Sequence, residues 1–182
     1  MNLYRSTLRL SGIILFLLLL PVTQGLAETY AEDRAAIENL MARYLFALDF
    51  QDPEAYAATF TEDGIMNYAS GVARGRQELQ NVVKTMAERM REMQPADKPG
   101  QRSIPARHNI MNIVIDIKGD RATSRSYWTN VGADSEGKAR VNSFGHYEDE
   151  LVKRNGEWLF TKRVVFNEFQ EGRQSGVLDP EK

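Results

Sequence analysis

Cysteine is absent from the 182 residues, and histidine occurs only as His108 and His146. The first absence excludes disulfides, a thiol nucleophile and thiolate metal ligation; with so few imidazoles beside it, no zinc-ligand spacing can be written. A glycine-rich phosphate loop and a Gly-x-Ser-x-Gly nucleophile elbow are missing too. Positive charge is not in excess: 23 Lys and Arg stand against 25 Asp and Glu, a formal charge of −2, which argues against nucleic acid as a partner. Arg121, Arg125, Lys138 and Arg140 accordingly read as a solvated sheet face. No metal or cofactor is expected.

Long apolar runs are confined to the start. Arg5 and Arg9 precede the unbroken run Ile13 to Leu20, and Gly25-Leu26-Ala27 supplies small residues of the kind a signal peptidase reads. Residues 1–27 are expected to be a signal peptide cleaved after Ala27, giving a periplasmic or secreted protein with no membrane attachment after cleavage. A retained anchor is the alternative, because Leu8 to Leu26 is nearly long enough to span; Pro21 and Thr23-Gln24 interrupt it. The remaining 155 or so residues suffice for one core without disulfides. They divide into a single domain over 28–170 and a polar tail over 171–182.

Within that domain the hydrophobic period changes once. Ile37, Leu40, Met41, Tyr44, Leu45 and Leu48 recur at helical spacing and predict a helix from about Glu32 to Leu48. Asp52-Pro53 opens a second helix as cap and first-turn proline. Thr61 to Gly64 reads as a turn, Ile65 to Ala69 as a strand, Ser70 to Gly75 as a loop, and Arg76 to Met93 as a third helix. Gln94 to Pro105, with three prolines and no apolar run, is a loop at the pocket's edge. Four extended segments follow, 106–118, 121–131, 139–153 and 157–169, joined by hairpin chemistry at Gly119-Asp120, Gly132 to Lys138 and Asn155-Gly156. The expected class is α+β: three N-terminal helices packed on a curved antiparallel sheet that encloses a pocket.

Asp49, His108, Tyr44 and Tyr68 are the candidate catalytic groups. Asp52 already caps the second helix, so Asp49 has no local task, and a carboxylate beside an imidazole fixes its tautomer and supports the imidazolium. Strict alternation places His108 in the polar phase of its strand with Asn112 and Asp116; a bulge between His108 and Met111 would turn it inward. Asn112, Tyr147 and Trp128 are candidates for shaping the pocket. His146 alternates with Gly145 and Tyr147 and points away from it.

Taken together, Tyr44-x4-Asp49-x2-Asp52-Pro53, Phe60-x2-Asp63-Gly64, Arg107-His108-x3-Asn112, Gly119-Asp120-x-Ala122, Gly145-x-Tyr147-x-Asp149 and Gly156-x-Trp158-x4-Arg163 resemble the SnoaL-like branch of the NTF2-like superfamily, over roughly Ala31 to Phe169. The resemblance implies a cone-shaped fold. It also implies a lyase, because scytalone dehydratase and the bile-acid 7α-dehydratases use an Asp–His pair with pocket tyrosines, matched in position by Asp49, His108, Tyr68 and, for the bile-acid enzymes, Tyr44.

The expected function is therefore dehydratase-type elimination, without a cofactor, on a cyclic, aromatic or steroid-like small molecule. An isomerase, an aldehyde-releasing carbon–carbon lyase and a non-catalytic periplasmic binding module are the alternatives on the same scaffold. A homo-oligomer is also expected, a dimer or trimer formed through the sheet. Ser124, Ser126, Trp128 and Asn130 are taken as outward-facing, which puts Trp128 at the contact unless it lines the pocket.

Overall fold

The stripe Ile37, Leu40, Met41, Tyr44, Leu45 and Leu48 is buried along one side of the first helix, α1 (Thr23–Asp49), which starts well before the expected Glu32. The structure is a computed structural model, and it describes residues 23–93, 105–134 and 136–169. The leader up to residue 22, the loop over 94–104 and the polar tail lie outside the described residues.

The end of α1 is sharply defined. Gln51 takes a positive φ of 57°, and the N–H groups of Gln51 and Asp52 close back on the carbonyls of Leu48 and Ala47 at 3.2 and 2.9 Å. Asp52 then caps α2 (Pro53–Ala58), accepting the Ala55 N–H at 2.9 Å, with Pro53 in the first turn. Two abutting caps leave Asp49 as the last residue of α1.

After α2 come β1 (Phe60–Tyr68), β2 (Gly71–Arg74), α3 (Gly75–Met93), β3 (Arg107–Lys118), β4 (Arg121–Ala133), β5 (Ala139–Arg154) and β6 (Glu157–Asn167). They form one six-stranded sheet in the order β2-β1-β6-β5-β4-β3, antiparallel throughout except for the parallel pair β1–β6. Thr61 to Gly64 is thus no turn. It belongs to β1, in the irregular stretch between the pairs Phe60–Phe160 and Ile65–Lys162. Ser70 to Gly75 likewise contains a strand, β2, which pairs back on β1.

Every pair of long strands is interrupted by a register shift, at Met111/Val114 in β3, at Asn130/Val131 between β4 and β5, and at Glu150/Leu151 between β5 and β6. Bulges add twist and bend, so the sheet curls around the helices. They also reset which residues face inward. In β3, Asn112 takes φ +54° and the ladder resumes at Val114–Arg125, so His108 and Ile110 share the inner face with Ile113, Ile115 and Ile117. The bulge that the His108 phase required is present, just beyond Met111 instead of before it.

Inside the curl, Asp149 and Arg163 form a fully buried bidentate pair at 2.7 and 2.8 Å, and Ser124 donates to Asp149 at 2.8 Å. The rings of Tyr44, Tyr147 and Phe160 lie 4.0–4.2 Å from the guanidinium. Burial works against the Arg163 charge, but Asp149 outweighs it and holds the group protonated. A second polar tie joins α1 to the sheet: Asp33 accepts from Lys153 Nζ at 2.5 Å and from Trp158 Nε1 at 2.9 Å.

Candidate active site

Asp49 and His108, 59 positions apart in sequence, meet where the end of α1 crosses the start of β3. Asp49 Oδ1 lies 2.6 Å from His108 Nδ1, and Asp49 Oδ2 accepts the His108 backbone N–H at 2.9 Å. One carboxylate therefore holds both the ring and the backbone that carries it. The acceptor on Nδ1 makes that nitrogen the N–H and leaves Nε2 with the lone pair. The carboxylate is nearly buried, whereas the imidazole keeps 17% of its side-chain surface exposed, so it can reach a ligand.

An aromatic wall stands beside the pair. The Trp128 ring lies 6.2 Å from that of His108 and stacks on Tyr147 at 5.9 Å and 26°. Its Nε1–H is bound by the carbonyls of Phe166 and His146 at 3.1 and 3.3 Å. Gly145, directly across from Trp128, makes this seat possible: a Cβ there would collide with the Phe166 carbonyl and press on the indole. Trp128 is 5% exposed, so it lines the inner face and is no subunit contact. The outward assignment of Ser124, Ser126, Trp128 and Asn130 took the wrong phase of a strand that alternates regularly: Ser124, Ser126 and Trp128 lie directly across from Asp149, Tyr147 and Gly145, and partners across a ladder share a face.

The candidate tyrosines separate. Tyr147 is buried on the inner face. Burial pushes its phenol well above the ordinary range; Tyr44 adds to this, Arg163 opposes it, and the carboxylates of Asp149 and Asp49 raise it further. Tyr147 thus keeps its proton at neutral pH, within electrostatic reach of Asp49. Tyr44 is in the core, its hydroxyl 3.0 Å from that of Tyr56 and its ring against Phe60 and Phe160. Its pKa is also raised, by burial first, with Arg163 opposing. Tyr68 is half-buried and lines a separate groove of about 400 Å³ between β1, β2 and α3 with Val72, Val82 and Met86. Among the described residues no hydrogen bond or ring contact joins Tyr44 or Tyr68 to the pair.

Asn112 does not stand with the pair. As the bulged residue of β3 it is exposed and borders a groove on the outer face with Val114, Tyr127 and His146. His146 lies on that outer face, stacked on Phe166 at 4.1 Å and paired with Glu168. The neighbour that the sequence did not reveal is Asn130, whose side-chain amide contacts the His108 ring and is itself bonded by Asn142 at 2.9 Å. Its signal was available: Asn130 shares the phase of Trp128, and turning one inward turns both.

Among the described residues no cluster of three or more His, Cys, Asp or Glu side chains is placed to hold a metal ion. What the arrangement offers is an oriented imidazole backed by a carboxylate, an apolar wall and a protonated phenol, which is equipment for moving protons.

A family model described as a SnoaL-like domain matches residues 29–164. No curated protein is significantly similar to the chain. Among solved structures, Rv3472 of Mycobacterium tuberculosis, a protein of unknown function solved as a variant, is 27% identical with a TM-score of 0.67, over 81% of this chain and 78% of that one. The "Putative Scytalone Dehydratase" of Novosphingobium aromaticivorans is 25% identical with a TM-score of 0.62, over 82% and 95%. The "beta subunit of a putative aromatic-ring-hydroxylating dioxygenase" of the same organism shares the fold at 17% identity and a TM-score of 0.61, over 79% and 94%. A match across most of the chain, on a curved sheet shared with NTF2-like structures, means that this protein belongs to the SnoaL-like domain family.

Proposed function

We propose that the protein is a cofactor-independent lyase that eliminates water, or a comparable small leaving group, from a cyclic, aromatic or steroid-like molecule. The observation that carries this reading is the two-point hold of Asp49 on His108 beside the wall of Trp128 and Tyr147. In the reaction, His108 Nε2 takes a proton from a carbon next to a carbonyl. The C–H electron pair becomes the new double bond, and the hydroxyl on the neighbouring carbon leaves as water once protonated. Asp49 stabilises the transient imidazolium. Tyr147 takes the phenol role expected of Tyr44 and Tyr68, donating to the carbonyl or to the departing hydroxyl, because burial keeps its proton in place. Trp128 supplies apolar contact for a ring.

The test is to incubate the protein with a panel of hydroxylated cyclic ketones, phenols and steroids and weigh the products. A product lighter by one water supports the lyase. An unchanged mass with altered chromatographic mobility makes it an isomerase instead, and release of a small aldehyde makes it a carbon–carbon lyase.

Two observations favour a second reading, a non-catalytic module that binds an apolar ligand. Neither Tyr44 nor Tyr68 stands with the pair, and the fold is shared with a dioxygenase beta subunit. Mass spectrometry of material that co-purifies with the protein separates the two, since an unchanged ligand that survives prolonged incubation favours binding. Export belongs to the proposal as well. N-terminal sequencing of the protein from its producing cells should begin at Glu28, and a chain beginning at Met1 contradicts cleavage.

A further inference from the structure

The bulge in β5 has a chemical counterpart at the pair. The β4–β5 ladder passes from Val131–Val141 to Asn130–Ser143, so Asn142 has no partner across the ladder and its side chain reaches Asn130. Gly132 makes room for it: a Cβ there would lie 2.5 Å from Asn142 Nδ2, although the Gly132 backbone is not among the positive-φ glycines. A side chain at 132 would thus displace the Asn142 amide, with no conformational demand on the backbone.

The chain of bonds has one direction. Arg140 Nε donates to Asn142 Oδ1 at 2.9 Å, and an arginine can only donate. The Asn142 oxygen is thereby fixed on that side, its Nδ2 donates to Asn130 Oδ1 at 2.9 Å, and the Asn130 Nδ2 is left facing His108. That nitrogen lies 3.1 Å from His108 Nε2 and 3.4 Å from Nδ1. Distances so nearly equal cannot be met in the plane of the ring, where the amide would run into Cε1. The amide therefore lies against the ring face, and the in-plane Nε2 lone pair is not capped by it.

We propose that Arg140, Asn142 and Asn130 are positioning residues, a one-way hydrogen-bond relay that presses the N–H end of the Asn130 amide on the face of His108 and keeps its Nε2 lone pair free. The relay's functional meaning rests on His108 being the base. A loose Asn130 amide could swing into the ring plane and donate to Nε2, which would block the base; tied back by Asn142, it cannot.

The experiment is NMR on the ¹⁵N-labelled full chain at mildly alkaline pH, with the two imidazoles assigned through His146→Gln and the Asn130 amide through Asn130→Ser. The expected result is an Nδ1–H tautomer for His108 and Asn130 amide protons shifted upfield by the ring they lie over. In Asn142→Asp the acceptor-only carboxylate draws the Asn130 N–H to itself, and those protons should move downfield while the far-ultraviolet circular dichroism is kept. Gly132→Ala, which pushes Asn142 aside, should move them the same way and serves if Asn142→Asp fails to fold. Unshielded Asn130 protons in the parent, protons unmoved in both variants, or an Nε2–H tautomer would overturn the relay. No substrate enters this test, so an intact relay in a protein that turns nothing over counts against the lyase alone.

Discussion

Asp49 occupies the end of a helix that suits a carboxylate least. The last turn of α1 presents its carbonyls, and a negative charge there costs about 0.3–1 kcal/mol through the helix dipole. The two N–H groups of His108 that it accepts offset this cost, so carboxylate and imidazole are energetically tied. Asp33 is the contrasting case, a carboxylate held for structure. Burial raises its pKa, and the hydrogen bonds from Lys153 and Trp158 outweigh that and leave it below the ordinary value of 3.8. A depressed folded-state pKa contributes stability above the unfolded value and loses it as pH falls through the folded one. Asp33→Asn should therefore cost roughly 1.5–3 kcal/mol at neutral pH, as expected for hydrogen bonds to a charged group. Urea midpoints of parent and variant should draw together as the pH drops below about 4; a gap unchanged there would contradict the assignment. At this scale the sequence showed that Asp49 lacked a local task, because Asp52 visibly caps α2. It could not show which buried phenol stands near the pair. Helical spacing says only that Tyr44 is buried, while the place of Tyr147 beside Trp128 depends on how β4 registers against β5.

At the scale of elements, three bulges decide what the strands present. The one in β3 brings His108 onto the same face as Ile113 and Ile115, which strict alternation denies it, whereas Trp128 follows strict alternation and needed only the right phase, that of Gly145 and Tyr147 across the ladder. The hairpins themselves were legible, with Asn155 and Gly156 at φ 53° and 84° where Asn-Gly chemistry predicts them. A bulge leaves a weaker trace, since almost any residue can be the extra one, although a positive φ favours asparagine or glycine. β2 and the first half of β1 were missed for a related reason: Thr61 to Gly64 and Gly71 to Arg74 look like turns locally and are strands only through tertiary pairing. The bulge at Asn112 can be tested. With φ at +54°, Asn112→Ala should lose roughly 1 kcal/mol and Asn112→Gly less, because only alanine meets the left-handed steric penalty. Chemical denaturation reads both, and an alanine variant as stable as the glycine variant would contradict this account of the strand.

For the whole molecule, the inward turn of Trp128 leaves a different set of side chains on the outer face of the sheet. Val114 and Tyr127 are more than half exposed there, Met111 and Phe144 less so, and Arg125, Glu148, Glu150 and Lys162 surround them with both signs of charge. Apolar area ringed by mixed charge suits a self-complementary contact. The homo-oligomer is thus proposed through Tyr127 in place of Trp128. Light scattering should find a dimer that dissociates in Tyr127→Asp and persists in Trp128→Ala, and a monomeric parent would contradict it. Whether Asp49 and His108 move protons on a substrate is read from turnover of the best substrate from the panel in parent, His108→Ala and Asp49→Asn, each verified as folded. Losing proton-transfer catalysis removes a factor of about 10² to 10⁴, so both variants should fall by that much. Near-full turnover by either folded variant would contradict the account.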